Sequence, residues 1–317
     1  MKSKRAKVAI IGMGRVGATF AYALSLKRLV NEIVVVDVDA ERAEGEAMDL
    51  RHGLPLIGPM DIRSGGFEAC RGADIVVITA GAGQKPGQTR LELLDNNAAV
   101  VRSIASELMA LGGAPILIVA TNPVDVLTHR LLAQTGFPAS RVMGSGTVLD
   151  SSRLRQMLAE ELRVDVRGVH AHIIGEHGDS ELAVWSRANV SGIPLADFCA
   201  GRGVAFDAAF RERVQDGVRR AAYEIIARKG STAYAVGVAL CRIVEAIVRD
   251  EKSVLTVSTA AKGRYGLPDV SLSLPCVIGE DGIELVAESP LAQDEHQALH
   301  HSAQVLLKTE ASLTAQG

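Results

Sequence analysis

Aromatic residues make up only 3% of this 317-residue chain, and it has one tryptophan. A core so poor in rings must be filled by Ala, Val, Leu and Ile, which suits helices packed on buried parallel strands. Cysteine is scarce too. Cys70, Cys199, Cys241 and Cys276 stand far apart with no CxxC pair, so neither a zinc site nor a disulfide framework is expected. Charge of one sign is lacking: 34 basic residues face 37 acidic ones, a formal −3 that argues against a general nucleic-acid binder. Long apolar runs are missing as well. The basic opening "MKSKRAK" leads into "VAIIG", too short for a signal segment or a membrane span, and charges or turn residues interrupt each later run. A protein with no membrane or nucleic-acid partner, cytoplasmic by default, is the expectation. Internal repeats and low-complexity linkers are also absent. The chain retains 48% hydrophobic and 22% charged residues, enough for one large domain or two ordinary ones.

Periodicity divides the chain. The first half alternates short β-branched runs with longer helical patterns: strands at 7–12, 32–37, 74–81, 115–122 and 141–146, and helices at 16–29, 40–52 and 91–111. Such alternation implies right-handed crossovers and a doubly wound parallel sheet, α/β in class, with its ligand beyond the carboxyl ends of the strands. The second half reads as α+β. A helix spans about 147–162, two or three short strands fall within 169–174 and 182–190, and long helices cover 206–228 and 232–250. "SVLTVSTAA" and "VSLSLPCVIGEDGIELV" suggest antiparallel strands turning at "GEDG", and a last helix starts near Pro290 and reaches about Leu307. The division falls near residue 145, giving domains 1–145 and 146–317.

"GMGRVG" places Gly12, Gly14 and Gly17 directly after a strand and at the opening of a helix. A bare GxGxxG is weak, but here the flanking pattern is that of a Rossmann dinucleotide site. Gly12 serves the tight turn, Gly14 the close approach of a pyrophosphate, and Gly17 the packing of helix on strand. Asp37 ends the second strand, 20 residues beyond Gly17. A carboxylate there accepts bonds from ribose hydroxyls and repels a 2′-phosphate, favouring NAD over NADP. The plainer reading of Asp37 is a turn former.

Five further polar features stand out. "AGAGQKPGQTRLEL" (80–93) is a glycine-rich connection carrying Gln84, Lys85 and Arg90. "TNPVD" ends a strand at Asn122. "GSGTVLDSSRLR" sets Asp150 and Arg153 three apart on one helix face. "GEHGD" supplies His177, and "KGSTAY" supplies Thr232. Each alone has a dull explanation: a surface ion pair, a helix cap, a solvated loop, a structural histidine.

Together, the stretches "TAGAGQKPGQTRLELL", "VATNPVDVLT", "GSGTVLDSSRLR" and "HIIGEHGDSELAVWS" resemble the L-lactate dehydrogenase branch of the lactate/malate dehydrogenase family, over essentially the whole chain. The resemblance implies roles. His177 would be the general acid/base, oriented through its other ring nitrogen by Asp150. Arg153 would hold the substrate carboxylate through two hydrogen bonds, and Arg90 would polarise the carbonyl. Asn122 would donate near that oxygen and the cofactor. Val16, Gly81 and Ala82 would join Gly12, Gly14, Gly17, Asp37 and Asn122 around NAD. Gln84 sits where malate dehydrogenases carry arginine for a second carboxylate. With Thr232 near the substrate methyl, it implies pyruvate and lactate. Arg155 and His170 match an arginine and a histidine that bind the activator fructose 1,6-bisphosphate in bacterial relatives, and a homotetramer is implied. Rival readings are a malate dehydrogenase, an enzyme for a larger 2-oxo acid, and a catalytically silent NAD-binding regulator. Gly83, Gln88 and His172 depart from many relatives, and the residues alone explain none of them.

Overall fold

A computed structural model describes residues 6–82 and 90–314. Strand β1 (Lys7–Ile11), helix α1 (Arg15–Lys27), β2 (Glu32–Val36), α2 (Ala40–Ile57) and β3 (Asp61–Ser64) form the first winding. The second comprises β4 (Ile75–Ile78), α3 (Arg90–Leu111), β5 (Ile116–Val119), α4 (Val124–Thr135) and β6 (Val142–Gly144). The strands lie in the order β3-β2-β1-β4-β5-β6, all parallel. The runs "IVVI" of β4 and "ILIV" of β5 are buried at every position, as strands covered on both faces must be. Strand order reverses between β1 and β4, so a crevice opens beyond their carboxyl ends at Gly12 and Thr79.

The second half begins with α5 (Val148–Leu162). It continues through β7 (Val169–His170), β8 (Ile173–Ile174), β9 (Leu182–Ala183), β10 (Asn189–Val190), β11 (Ile193–Pro194) and α6 (Leu195–Gly201). Helices α7 (Ala208–Lys229) and α8 (Tyr234–Val248), strands β12 (Ser253–Ala260), β13 (Ser271–Gly279) and β14 (Gly282–Val286), and α9 (Gln293–Thr314) complete it. The chain is thus a Rossmann-type doubly wound domain followed by an α+β part. The short strands expected at 169–174 and 182–190 are four two-residue strands, β7 to β10, which with β11 beyond them form two small sheets.

The antiparallel hairpins contain a finding that periodicity did not reveal. Strand β12 pairs with β6 through Ser258 and Gly144, so β12, β13 and β14 continue the parallel sheet, which has nine strands among the described residues. Gly144 allows this: a Cβ there would press on Thr128, Val124 and Ser258. Elements β3 and α4 have weak signals in sequence. "DIRS" is short and half polar, and α4 begins directly after Asn122-Pro123. Helix α2 runs through Pro55 to Ile57, five residues past the expected end, and α9 extends to Thr314 rather than Leu307.

Candidate active site

The cofactor crevice is built by close backbone contacts. Gly12 takes φ +102° and donates its amide to the Val36 carbonyl at 2.7 Å. A Cβ there would run into the Ala80 backbone, and one on Gly17 would overlap the Gly12 carbonyl. Thr79 Oγ1 donates to that same carbonyl at 2.6 Å, locking loop to strand. Gly14 differs: it caps α1 without a side-chain bond, and a Cβ on it would meet nothing within 4 Å. The first turn of α1 holds no acidic residue. Open space, free amides and the positive end of the helix dipole therefore coincide, with half-buried Val16 beside them, as a pyrophosphate requires. Asp37 Oδ2 accepts the Met13 amide at 2.5 Å and Oδ1 the Asp39 amide at 3.0 Å. It does form the turn, and its carboxylate, partly exposed, retains lone pairs for further donors.

The ends of β4 and β5 are tied together by a residue that the sequence reading passed over. Asn97 on α3, 2% exposed, accepts the Ala82 amide at 2.8 Å and donates to the Asn122 carbonyl at 2.8 Å. Thr121 Oγ1 donates to the Ala80 carbonyl at 2.7 Å, and a Cβ on Gly81 would collide with the Thr121 methyl. This brace leaves Gly81, Ala82 and the Asn122 side chain exposed at the crevice.

The second part delivers the polar cluster. Thr147 Oγ1 donates to the Ile173 carbonyl at 2.6 Å, and Ser151 Oγ accepts the Ile173 amide at 2.9 Å, stapling α5 to β8. Asp150, between these staples on α5, faces His177, which follows β8. His177 Nδ1 lies 2.6 Å from Asp150 Oδ2, and Arg153 Nη1 donates to Asp150 Oδ1 at 2.8 Å. The His177 amide donates to Asp125 Oδ2 at 2.7 Å, in the first turn of α4 and three residues after Asn122. That bond anchors the histidine against the end of β5. Arg15 Nη1 donates to Ser231 Oγ at 2.8 Å, which holds the turn carrying half-buried Thr232 against the start of α1.

Electrostatics favour a charged imidazole. Burial works against it, but the charge and hydrogen bond of Asp150, then the charges of Asp125 and Glu181, raise the His177 pKa from 6.5 to about 9. Its side chain stays 27% exposed, so the ring is accessible from the crevice. Burial also pushes Asp150 up, yet His177 and Arg153 outweigh it and hold that carboxyl below its ordinary value. Asp125, 1% exposed, is raised to about 6 by burial above all. With Nδ1 bonded to a carboxylate, Nε2 is the nitrogen left to exchange a proton with a ligand. The guanidinium of Arg153 beside it provides a planar fork for a carboxylate.

Other expected residues stand apart. Gln84, Lys85, Gly83 and Gln88 lie outside the described residues, as does the Arg90 side chain, although Arg90 opens α3. Arg155 is half-buried on α5, with Nε donating to the Ser151 carbonyl at 3.1 Å, and His170 is exposed on β7. His172 is partly buried beside Arg155, and burial first, then that charge, lowers its pKa. Tyr223 on α7 donates to Asp179 Oδ1 at 3.0 Å. Residues that sequence reasoning missed are Asn97, Asp125 and Glu181. Asp125 stood in plain view in "TNPVD", whereas nothing in the α3 pattern distinguished Asn97 from a surface asparagine.

A dinucleotide crevice beside a paired imidazole and guanidinium defines a nicotinamide-dependent oxidoreductase, and the cofactor is NAD. Residues 6–144 match the lactate/malate dehydrogenase NAD-binding domain, and residues 147–316 the alpha/beta C-terminal domain of the same group. The chain belongs to the lactate/malate dehydrogenase family. It is 61% identical over 307 residues to an L-lactate dehydrogenase of Nitratidesulfovibrio vulgaris, covering 97% of this chain and 99% of that one. It is 48% identical over 300 residues to an L-lactate dehydrogenase of Acetivibrio thermocellus, covering 95% of each. Among solved structures, a lactate dehydrogenase from a Medee basin deep-sea metagenome library superposes with a TM-score of 0.94 at 42% identity, covering 98% of this chain and 99% of that one. The ligand-bound minor L-lactate dehydrogenase of Enterococcus mundtii gives 0.93 at 41%, covering 97% and 98%.

Proposed function

We propose that this protein is an L-lactate dehydrogenase, reducing pyruvate to L-lactate with NADH and running the reverse oxidation with NAD. The observation that carries the reading is the chain Arg153–Asp150–His177, bonded at 2.8 and 2.6 Å and anchored to the β5 end through Asp125. NADH supplies the hydride when bound. In reduction, His177 as imidazolium gives its Nε2 proton to the forming hydroxyl, and in oxidation the neutral ring takes it back. Asp150 keeps the proton on Nδ1 and stabilises the charged ring. Arg153 turns its fork from Asp150 toward the substrate carboxylate, and Arg90 from the 80–93 connection polarises the carbonyl. Asn122 donates near the same oxygen. Gly12, Gly14, Val16, Gly17, Gly81 and Ala82 shape the cofactor bed, with Asp37 at the ribose.

Gln84 decides against malate. A dicarboxylate at a neutral glutamine leaves one charge without a cationic partner, at a cost of about 3–5 kcal/mol for half of a buried pair. The Gln84→Arg variant is expected to gain at least tenfold in kcat/KM for oxaloacetate, on the order of one lost charge contact. A variant with no gain would remove Gln84 as the specificity position and reopen the malate reading. Thr232 beside the substrate methyl fits pyruvate better than a longer 2-oxo acid, and relative rates on 2-oxobutyrate test it.

Regulation, assembly and location belong to the same reading. Burial, then the neighbouring charge of Arg242, lowers the pKa of Arg155, so the spot is short of negative charge. A fructose 1,6-bisphosphate bound by Arg155 and His170 would relieve it and bias Arg153, one half-turn back on α5. A titration showing no change in pyruvate KM with the bisphosphate refutes this. The protein acts as a homotetramer in the cytoplasm, in glycolysis and fermentation. Its four cysteines are free and buried, and no described helix is long and apolar enough to cross a membrane.

A further inference from the structure

Glu181 is the acid in "GDSE", four residues after His177, and its residue exposure is 2%. Its Oε1 is buried with no hydrogen-bond partner among the described residues. A buried carboxyl left without a partner costs stability and needs an explanation. The backbone around it is held firmly: its carbonyl accepts from Gln215 Nε2 and Arg219 Nη2 on α7, each at 3.0 Å. One oxygen of Glu181, one of Asp150 and a ring nitrogen of His177 lie within 4.8 Å of one another. Such a trio has the spacing of a cation site, but two of its members are already spent. Asp150 bonds His177 through one oxygen and Arg153 through the other. What remains is a second carboxyl facing the imidazole that donates the proton.

We propose that Glu181 is a positioning residue for proton transfer, a reserve carboxyl behind the His177–Asp150 pair whose ionisation holds the imidazolium in place as the surroundings become alkaline. The proposal rests on the reading of His177 as the proton donor. Burial first, and then the Asp150 charge, raise the Glu181 pKa to about 8, and the charged carboxylate in turn raises the pKa of His177. Near neutrality Glu181 is largely uncharged, and Asp150 and Asp125 balance the ring. As pH rises Glu181 ionises, and its charge opposes release of the His177 proton. The groups facing it are Asp150 and Arg153 on α5, Arg219 on α7, and His177 on its own loop. Glu181 also lines a cavity of about 780 Å³ with Glu176, Asp179 and Arg211, and with Asp294, Glu295 and His301 from α9.

The test is the pH dependence of kcat/KM for pyruvate, followed by NADH absorbance, in the wild type and in Glu181→Gln. The glutamine variant is expected to lose its alkaline limb at least half a pH unit earlier, roughly threefold lower activity at the wild-type limb, while the two agree within about twofold near pH 6.5. An unmoved limb overturns the proposal, and so does an even loss at every pH, which marks a structural role. Glu181→Met, isosteric and apolar, repeats the measurement if glutamine fails to fold. Loss of NADH binding in both variants assigns Glu181 to the fold and also overturns it. His177→Asn separates the underlying reading: if that variant keeps wild-type activity, the proton-donor assignment fails, whatever the Glu181 variants do.

Discussion

Replacing Asp150 by asparagine removes one charge at nearly constant volume. In the wild type, Asp150 is the largest of the groups that raise His177 from 6.5 to about 9. That gap corresponds to about 3 kcal/mol in favour of imidazolium. Burial opposes it while Asp125 and Glu181 still favour the charged ring, so without the Asp150 charge the pKa falls toward its ordinary value. Near pH 7.5 such a ring is only about one-tenth protonated, against nearly complete protonation in the wild type. Since reduction requires the proton, kcat/KM for pyruvate should fall about tenfold from protonation alone, with any loss of orientation added. The alkaline limb should move from about 9 toward 6.5. Stopped-time NADH absorbance from about pH 5.5 to 10, at saturating cofactor, measures both quantities. A variant whose limb stays near 9, whatever its rate, would refute the claim that Asp150 sets the proton affinity of His177.

Further outcomes follow from the same geometry. Gly14→Ala should fold with an unchanged melting temperature and bind NADH at least tenfold more weakly, because the added methyl enters only the open phosphate space; roughly that loss is expected for displacing a pyrophosphate from a helix start. Gly17→Ala should lose both stability and NADH binding, since its methyl overlaps the Gly12 carbonyl; thermal melts with and without NADH separate the two variants. Asn97→Leu strands the Ala82 amide and the Asn122 carbonyl, costing about 2–5 kcal/mol by chemical denaturation. Because the His177 pKa is raised on folding, its contribution to stability is complete below 6.5 and is lost as pH rises through about 9; the wild-type melting temperature should fall across that window more than that of Asp150→Asn.

The legible part of this protein was its local chemistry. Gly12 and Gly17 signal themselves because the chain there passes too close to other backbone for any side chain. Asp150 and Arg153 share a helix face by simple spacing. What was hidden is what distant segments do to each other. Ser258 meeting Gly144 extends the sheet by three antiparallel strands, and no periodicity records which strand edge a hairpin will find. Asn97 sits in a long amphipathic helix, where its identity as a brace depends on two loops elsewhere. Asp125 and Glu181 looked like ordinary acids until the fold buried both beside one histidine. Charge in a sequence shows itself directly, whereas desolvation exists only after packing.

The most direct test of the central claim mixes the purified protein with NADH and pyruvate and compares it with His177→Asn. The wild type should oxidise NADH one-for-one with formation of L-lactate, and the variant, still binding NADH, should lose on the order of a thousandfold in kcat/KM, as expected for removal of a general acid. Cofactor binding without NADH oxidation in the wild type, or a variant that keeps its rate, would contradict the account.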